Sequence, residues 1–487
     1  MPETVVENGV QIEIPEGLKP SEQVKYYNPR LAILREAILA TLKIETDNVD
    51  KQLQCLDAFS GSGITGLQWK LHLGDKVHVV LSEGTQVKTS CALNEIQQTD
   101  WLLDPSHIPG QLPAEKQNKQ EVHVCPYKTN VVLHEEAFNF VFLQQLFNHI
   151  ALYTDSVFSN LRHNGIACFL IPNMTSPCFR SPKLIQRLYN AHTQKTEYVD
   201  ELAVRVFIAD IAKVAARHLR GITVLYSISA GDHFLVVVRV TKNNKSAISS
   251  IENCRSILHC LMCEERIVCP QTNSPVERPY SQLPCDCKTK HPGKTAVILG
   301  PLWVGEIFSV GFIERLQTKT KDISTEIGIK LRTFLNSLLE EALCRGEAQQ
   351  SVISENTETV TKHSNVSNNG DSCEPAKKKQ KLENGGESAS EIQERITNTE
   401  KESDLKNVQS VANAKTLIHE QGGTNMPLFY YNIQTKKYRI LPKLDKLVIM
   451  LRAAGYRACR THFQDHAVRT SANLSQLNEV VHKLAKK

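Results

Sequence analysis

Residues 56–66 read LDAFSGSGITG, and the reading of this stretch decides the fold. Gly61, Gly63 and Gly66 follow the pattern G-x-G-x-x-G, directly after the strand-like QLQCLDAF (52–59) and before a helix that starts near Gly63. Glycines so placed let the backbone turn tightly and approach a ligand, whose polar groups then meet free N–H groups at a helix N-terminus. The next strand-like segment, KVHVVLSE (76–83), ends on Glu83, 20 positions after Gly63, where a carboxylate can take both hydroxyls of a ribose. Asp57 sits inside the glycine strand, four residues before Gly61. An acid there suits S-adenosylmethionine, near the amino group of its methionine part. A dinucleotide site and a glycine turn without ligand are the competing readings.

Outward from this stretch the first ~240 residues alternate strand-like and helix-like segments. TQVKTSCALNEIQ (85–97) has helical spacing, and FNFVFL (138–143) is a continuous apolar run of the kind a doubly covered parallel strand requires. NGIACFLIP (164–172) predicts another strand, and ELAVRVFIADIAKVAARHL (201–219) a long helix. GITVLYSISA (221–230) and HFLVVVRVT (233–241) read as two closing strands. Such alternation predicts an α/β class with an open, mostly parallel, Rossmann-like sheet.

The length of 487 residues exceeds what one core of ordinary size holds. The boundaries we read are an N-terminal extension at 1–23, a Rossmann-like domain at 24–245 and a cysteine-rich part at 246–345. A polar linker of low complexity at 346–425 and a basic end at 426–487 follow. The longest apolar runs, such as FLVVVRV (234–240), fall far short of the ~20 residues a membrane span needs. No membrane role is expected, and the acidic N-terminus lacks the apolar core of a secretion signal. Fourteen cysteines in a chain of this kind predict thiols and metal ligands rather than disulfides.

Cys260-x-x-Cys263 and Cys285-x-Cys287 form two close pairs on turn-forming, Pro-flanked segments, which can converge on a structural tetrahedral S₄ zinc site. Buried free thiols are the alternative. Cys269, His259 and His291 are substitute ligands, with Cys254 less suited. PAKKKQKLE (375–383) has four lysines in five positions, as in a nuclear import signal, against the plainer reading of a solvated charge run. The segment 436–487 carries twelve Lys/Arg against Asp445, Asp465 and Glu479, which points to a polyanionic partner. LDKLVIMLRAAGYRACRTHF predicts a helix at 444–453, a turn at Gly455 and a strand, as in a small α/β or winged-helix-like RNA-binding module. Leu447, Ile449 and Leu451 are expected in its core. Arg452, Arg457, Arg460 and Arg469 are expected on phosphates, with nearby aromatics free to stack on bases. His134, His149 and His192 have no partners at metal or catalytic spacing.

YYNPRLAILREAI (26–38), LDAFSGSGITG, KTEYVDELAVRV (195–206), CLMCEERI (260–267), PCDCKTKHPGKTAVILGPLW (284–303) and LRAAGYRACRTHF (451–463) occur in this order. Together they resemble the tRNA guanine-26 N2-dimethyltransferase family, more closely its animal methyltransferase-1-like branch, over most of 24–345 and 427–475. The resemblance implies a class I methyltransferase domain followed by a C-terminal domain that grips tRNA, with metal-binding cysteines at Cys260, Cys263, Cys285 and Cys287. It also implies methyl transfer from S-adenosylmethionine to the exocyclic N2 of a guanine. Arg35, Asp57, Gly61, Gly63 and Glu83 would hold the cofactor.

Within that pattern an Asp-Pro-Tyr/Phe-Gly loop should follow FNFVFL, to position the amine and accept charge or a proton. Here Gln144, Gln145, Leu146 and Phe147 stand in its place. Lys128 stands where an acid should face the adenine, and Asn173 where another should follow the fifth strand. Leu34-Arg35-Glu36 replaces Asn-Arg-Asp. A glutamine accepts a hydrogen bond but takes no proton. Two functions therefore compete: a nuclear, monomeric tRNA guanine N2-methyltransferase acting near position 26, and a tRNA-binding protein that kept the fold and lost the reaction.

Overall fold

The structure, a computed structural model, describes residues 3–17, 19, 22–23, 26–84, 87–100, 121–144, 150–269, 279–291, 293, 295–346, 426–436 and 442–485. The linker 346–425 and the basic run at 375–383 lie almost wholly or wholly outside them. One compact unit takes in Met1–Cys344 and Pro427–Lys487.

The chain opens on an antiparallel hairpin, β1 (Glu3–Glu7) and β2 (Val10–Ile14). Its two-residue turn, Asn8 (φ 48) and Gly9 (φ 80), needs positive φ at both positions, the backbone twist that two-residue hairpins favour. Three parallel strands build the centre of an eight-stranded sheet: β3 (Leu53–Ala58), β4 (Val77–Ser82) and β7 (Phe140–Gln144). β5 (Gln97–Asp100) and β6 (Glu121–Cys125) extend one side, and β8 (Ile166–Pro172) the other. β9 (Arg220–Ala230) and β10 (His233–Lys242) close it, β10 running antiparallel to both β8 and β9. The strand order is 5-6-4-3-7-8-10-9. Sequence order reverses between β3 and β7, so the crevice beyond their carboxyl ends is where an open sheet of this kind receives ligands.

The apolar runs become strands because both faces are covered. Phe140, Val141, Phe142 and Leu143 of β7 are all buried, and Trp69, on the helix Ile64–Leu73, meets Phe140 edge-on at 5.4 Å. On the other side the helix Val199–Arg217 packs Phe207 against Phe169 of β8 at 5.6 Å. The helical stretch expected at 85–97 is shorter, Val87–Leu93. Glu95, at φ 54, turns the chain there and sends it into β5.

After the large sheet come two small antiparallel ones. β11 (Cys254–Cys260) lies between β12 (Arg266–Val268) and β13 (Ala296–Trp303). The helix Glu326–Gly346 then precedes the linker. Beyond it, β16 (Ala467–Thr470) pairs with β14 (Tyr431–Asn432) and β15 (Ala458–Arg460), covered by the helices Leu444–Ala453 and Leu474–Ala485. Phe429, Tyr430 and Phe463 belong to the main core, whereas Tyr431, Leu447, Leu451 and Val468 close a small core of their own. Among the described residues no helix is long and apolar enough to cross a membrane.

Candidate cofactor site and metal centre

The glycine loop lies at the carboxyl end of β3, on the crevice. Gly63 caps the helix Ile64–Leu73 at φ +79, and its N–H donates to Ser60 O at 2.7 Å. A Cβ on Gly66 would stand 2.2 Å from Leu81 Cδ2, so any larger residue would have to push that side chain of β4 aside. The first N–H groups of the helix have no intrahelical partners, which leaves an anion- and carbonyl-ready end. Two non-glycine residues here, Phe59 (φ 61) and Glu83 (φ 53), hold left-handed backbone at the ends of β3 and β4. Such conformations cost about 1–3 kcal/mol each and gather at ligand sites. The Ser62 hydroxyl is buried without a hydrogen-bond partner among the described residues.

Asp57 does not stand free in the crevice. Its Oδ2 accepts the Gly66 N–H at 3.0 Å, and its carboxyl is buried. Burial pushes its pKa up to about 7, against the opposing pull of that N–H and of the Arg35 charge. Arg35 is itself buried, and Glu7 of β1 takes it in two bonds, Nε to Oε1 at 2.7 Å and Nη2 to Oε2 at 2.5 Å. Asn28 O and the face of Tyr27 complete its surroundings. Burial works to raise the Glu7 pKa, but Arg35, Gln68 and Tyr27 together hold it below the usual carboxylate range. Glu7 was not legible as a site residue, yet the sequence carries its signal: Asn8-Gly9 between alternating apolar positions marks a hairpin.

Glu83 is exposed on the crevice side, and its Oε1 accepts the Thr129 N–H at 2.8 Å. Lys128 is the exposed residue just before that helix, Thr129–Glu135. Phe59 and Tyr153 meet edge-on at 4.9 Å nearby. Gln144 ends β7 opposite Leu170 of β8 and is half-buried. Gln145, Leu146 and Phe147 fall outside the described residues. Asn173 turns inward on itself, its Oδ1 accepting the Thr175 N–H at 2.8 Å.

The four predicted cysteines converge. Cys260, Cys263, Cys285 and Cys287 offer sulfurs that all lie within 4.8 Å of one another. Burial disfavours the Cys260 thiolate, but the N–H groups of Cys263 and Met262 aimed at its sulfur hold its pKa below the ordinary thiol range. Four sulfurs so grouped match a closed tetrahedral centre with no open coordination position. His259, Cys269 and His291 stand outside the group. His259 instead shares a hydrogen bond with the Tyr198 hydroxyl at 2.8 Å.

The basic C-terminal residues divide. Arg469 does not face solvent: it is 0 % exposed, and its guanidinium is spent on Glu201 and Glu341. The reason is its position on β16, which points it into the joint between the C-terminal module and the helix Val199–Arg217. Ile449, expected in the core, is 64 % exposed. Two residues beyond Leu447 on a helix is more than half a turn, which carries it to the opposite face. Leu447 and Leu451 are buried as expected. Arg452 and Arg460 are 51 % and 52 % exposed, each in a surface ion pair, with Glu340 and Asp445. Arg457 is half-buried.

A single family model, that of the N2,N2-dimethylguanosine tRNA methyltransferases, matches residues 9–368 and 385–482. The chain belongs to this family. The gap in the match, 369–384, holds the lysine-rich run. The tRNA (guanine(27)-N(2))-dimethyltransferase of Homo sapiens is 31% identical over 470 residues, 95% of this chain and 61% of that protein. This family member therefore spans less than two-thirds of that relative's length. The tRNA (guanine(26)-N(2))-dimethyltransferase of Methanosphaera stadtmanae is 25% identical over 349 residues, 69% of this chain and 79% of that one. Trm1 from Pyrococcus horikoshii, solved in complex with S-adenosyl-L-methionine, superposes with a TM-score of 0.65 at 17% identity. The superposition covers 98% of this family member and 99% of the Trm1 chain.

Proposed function

We propose that this family member binds S-adenosylmethionine and tRNA and methylates the N2 amine of a guanine at positions 26–27. The observation that carries the reading is the paired strained turns at Phe59 and Glu83 around the Gly61–Gly66 loop, on the crevice of the sheet. The cofactor would supply an activated methyl group on sulfonium. The glycine-loop N–H groups and Glu83 would hold it, with Glu83 taking ribose hydroxyls, and Asp57 would keep the loop closed through Gly66. Arg35, fixed by Glu7, would add positive charge behind that loop. The names of the relatives support guanine 27 in animals and guanine 26 in archaea.

The four-sulfur group would hold a structural zinc. Arg452, Arg457 and Arg460 would contact tRNA phosphates on the face that leaves them accessible. The lysines at 377–379 and 381 would serve nuclear import, and the protein would act as a monomer.

One observation favours the second reading, tRNA binding without turnover. Gln144 ends β7 with an amide where the reaction calls for a carboxylate. Purified protein, labelled S-adenosylmethionine and unmodified tRNA transcripts, with nucleosides read by mass spectrometry, separate the two. N2-methylguanosine or its dimethyl form above a Gly63→Asp control establishes turnover. No product from a protein that binds the same tRNA tightly makes RNA binding the function.

A further inference from the structure

The proposed reaction requires a guanine, delivered on a tRNA gripped by the C-terminal module, to meet a methyl donor held on the large sheet. A chain of side-chain hydrogen bonds joins those two parts. Asn173, directly after β8, accepts the Thr175 N–H at 2.8 Å. Thr175 Oγ1 donates to Asp200 Oδ1. Gln464, between β15 and β16, donates from Nε2 to Asp200 Oδ2 at 2.7 Å. Gln464 Oε1 in turn accepts from Asn432 Nδ2 of β14. Asn173 lies three residues beyond Leu170, the β8 partner of Gln144, so the chain starts at the same edge of the sheet as the altered catalytic position.

The direction of each bond is fixed by chemistry. An ionised carboxylate only accepts, so Thr175 must donate its hydroxyl and Gln464 must turn its NH₂ toward Asp200, leaving its carbonyl for Asn432. An acid in the first turn of the helix Val199–Arg217 would stabilise that helix by itself through the dipole. That role needs no partner from elsewhere, whereas here both oxygens of Asp200 are spent on side chains from two other segments.

We propose that Asp200 and Gln464 are positioning residues, setting the C-terminal module against the loop after β8 so that bound tRNA presents its guanine at the Gln144 edge. The proposal rests on the methyltransferase reading. Small misplacements of a reacting group cost about 10²-fold in rate without weakening binding, so the relay should act on kcat.

The test uses the full chain with Asp200→Asn, Gln464→Glu and both together. The first change leaves one oxygen and one NH₂ where two acceptors stood. Keeping Gln464 Nε2 on the carbonyl then turns the NH₂ onto Thr175 Oγ1 and reverses that bond. The second sets two carboxylates against each other. Together they restore one N–H···O bond with donor and acceptor exchanged, and the Asn432 bond survives. Each single change should lower kcat about tenfold, with tRNA KM and S-adenosylhomocysteine affinity held within about twofold. The double variant should recover most of the loss. Wild-type kcat in the single variants, an equal fall in cofactor affinity, or no recovery in the double overturns the proposal. Should the wild type make no methylguanosine, the methyltransferase reading fails on its own. Hydrogen exchange of residues 173–180 then decides the relay: faster exchange in both single variants, reversed in the double, supports it, and unchanged exchange sinks it.

Discussion

Arg469 of β16 and Glu201 of the helix Val199–Arg217 form an ion pair at 2.8 Å, both side chains fully buried and 268 positions apart in the chain. Glu341 binds the same guanidinium at 2.7 Å and also takes His462 Nδ1 at 2.7 Å. Three segments of sequence thus meet on one cation: the helix Val199–Arg217, the helix Glu326–Gly346 and the basic C-terminal segment.

Removing that cation takes a charged partner from two buried carboxylates, leaving Glu201 with Arg205 and Glu341 with His462 and Thr461. Arg469→Leu should cost about 3–5 kcal/mol, the usual penalty for breaking one side of a buried pair. Arg460→Ala, which breaks only the exposed pair with Asp445, should cost under about 1 kcal/mol. Denaturant titration of both variants checks the contrast, and equal losses would refute the account of the joint.

Protein purified without chelator should carry one zinc per chain by elemental mass spectrometry. Cys285→Ser should lose most of the metal and lower the melting temperature, because a four-sulfur centre contributes directly to folding. Metal-free wild type of unchanged stability would leave the four thiols as a packing cluster.

Placing an acid at the end of β7 is a direct probe of the role proposed for Gln144. A positioned general base contributes about 10²–10⁴-fold. Gln144→Asp should therefore raise kcat at least tenfold where the wild type is slow, read as methylguanosine per enzyme per minute. An unchanged rate would place proton acceptance elsewhere.

Arg452, Arg457 and Arg460 should contribute to tRNA affinity through phosphate charge. Replacing all three by alanine should flatten the plot of log affinity against log salt by about 2, at ~0.7–0.9 for each phosphate that is no longer neutralised. An unaltered slope would move the RNA interface to another face.

A pH effect follows from His78. Burial, with His123 stacked at 4.3 Å and Lys70 beside it, holds its imidazole down to about 3. The folded form therefore stays neutral while an unfolded chain takes up a proton below about 6.5. Stability is full above that value and falls as pH drops from about 6.5 toward 3. His78→Phe should shrink the difference in melting temperature between pH 7.5 and pH 5; an unchanged difference would put the acid sensitivity on other groups.

The large sheet was readable because β7 and β8 are buried on both faces and so appear as long apolar runs, FVFL (140–143) and IACFLIP (166–172). The four clustered cysteines were readable because their spacing is short. The arginines were not. Arg460 and Arg469 lie nine positions apart in one basic segment, yet one meets solvent and the other is sealed by Glu201 and Glu341. No local pattern reports a partner so far away. Ile449 misled for a different reason: an apolar residue in a helix rich in them lay on the wrong side of the 3.6-residue period. The Glu7–Arg35 pair combines both cases, since the hairpin that carries Glu7 was written locally in Asn8-Gly9 while its target was not.

The Glu201–Arg469 pair also sets an order of events during synthesis. Chains emerge at about 5–20 residues per second, and domains tend to fold as they appear. Glu201 is made on the order of 10–50 s before its cation, at those rates. Through that interval the helix that carries it has only Arg205, one turn along, to meet the acid on the face it will later bury. The C-terminal module is thus the last piece of the interior to arrive, and a ribosome that stalls within the linker should release a chain that exposes this joint to chaperones.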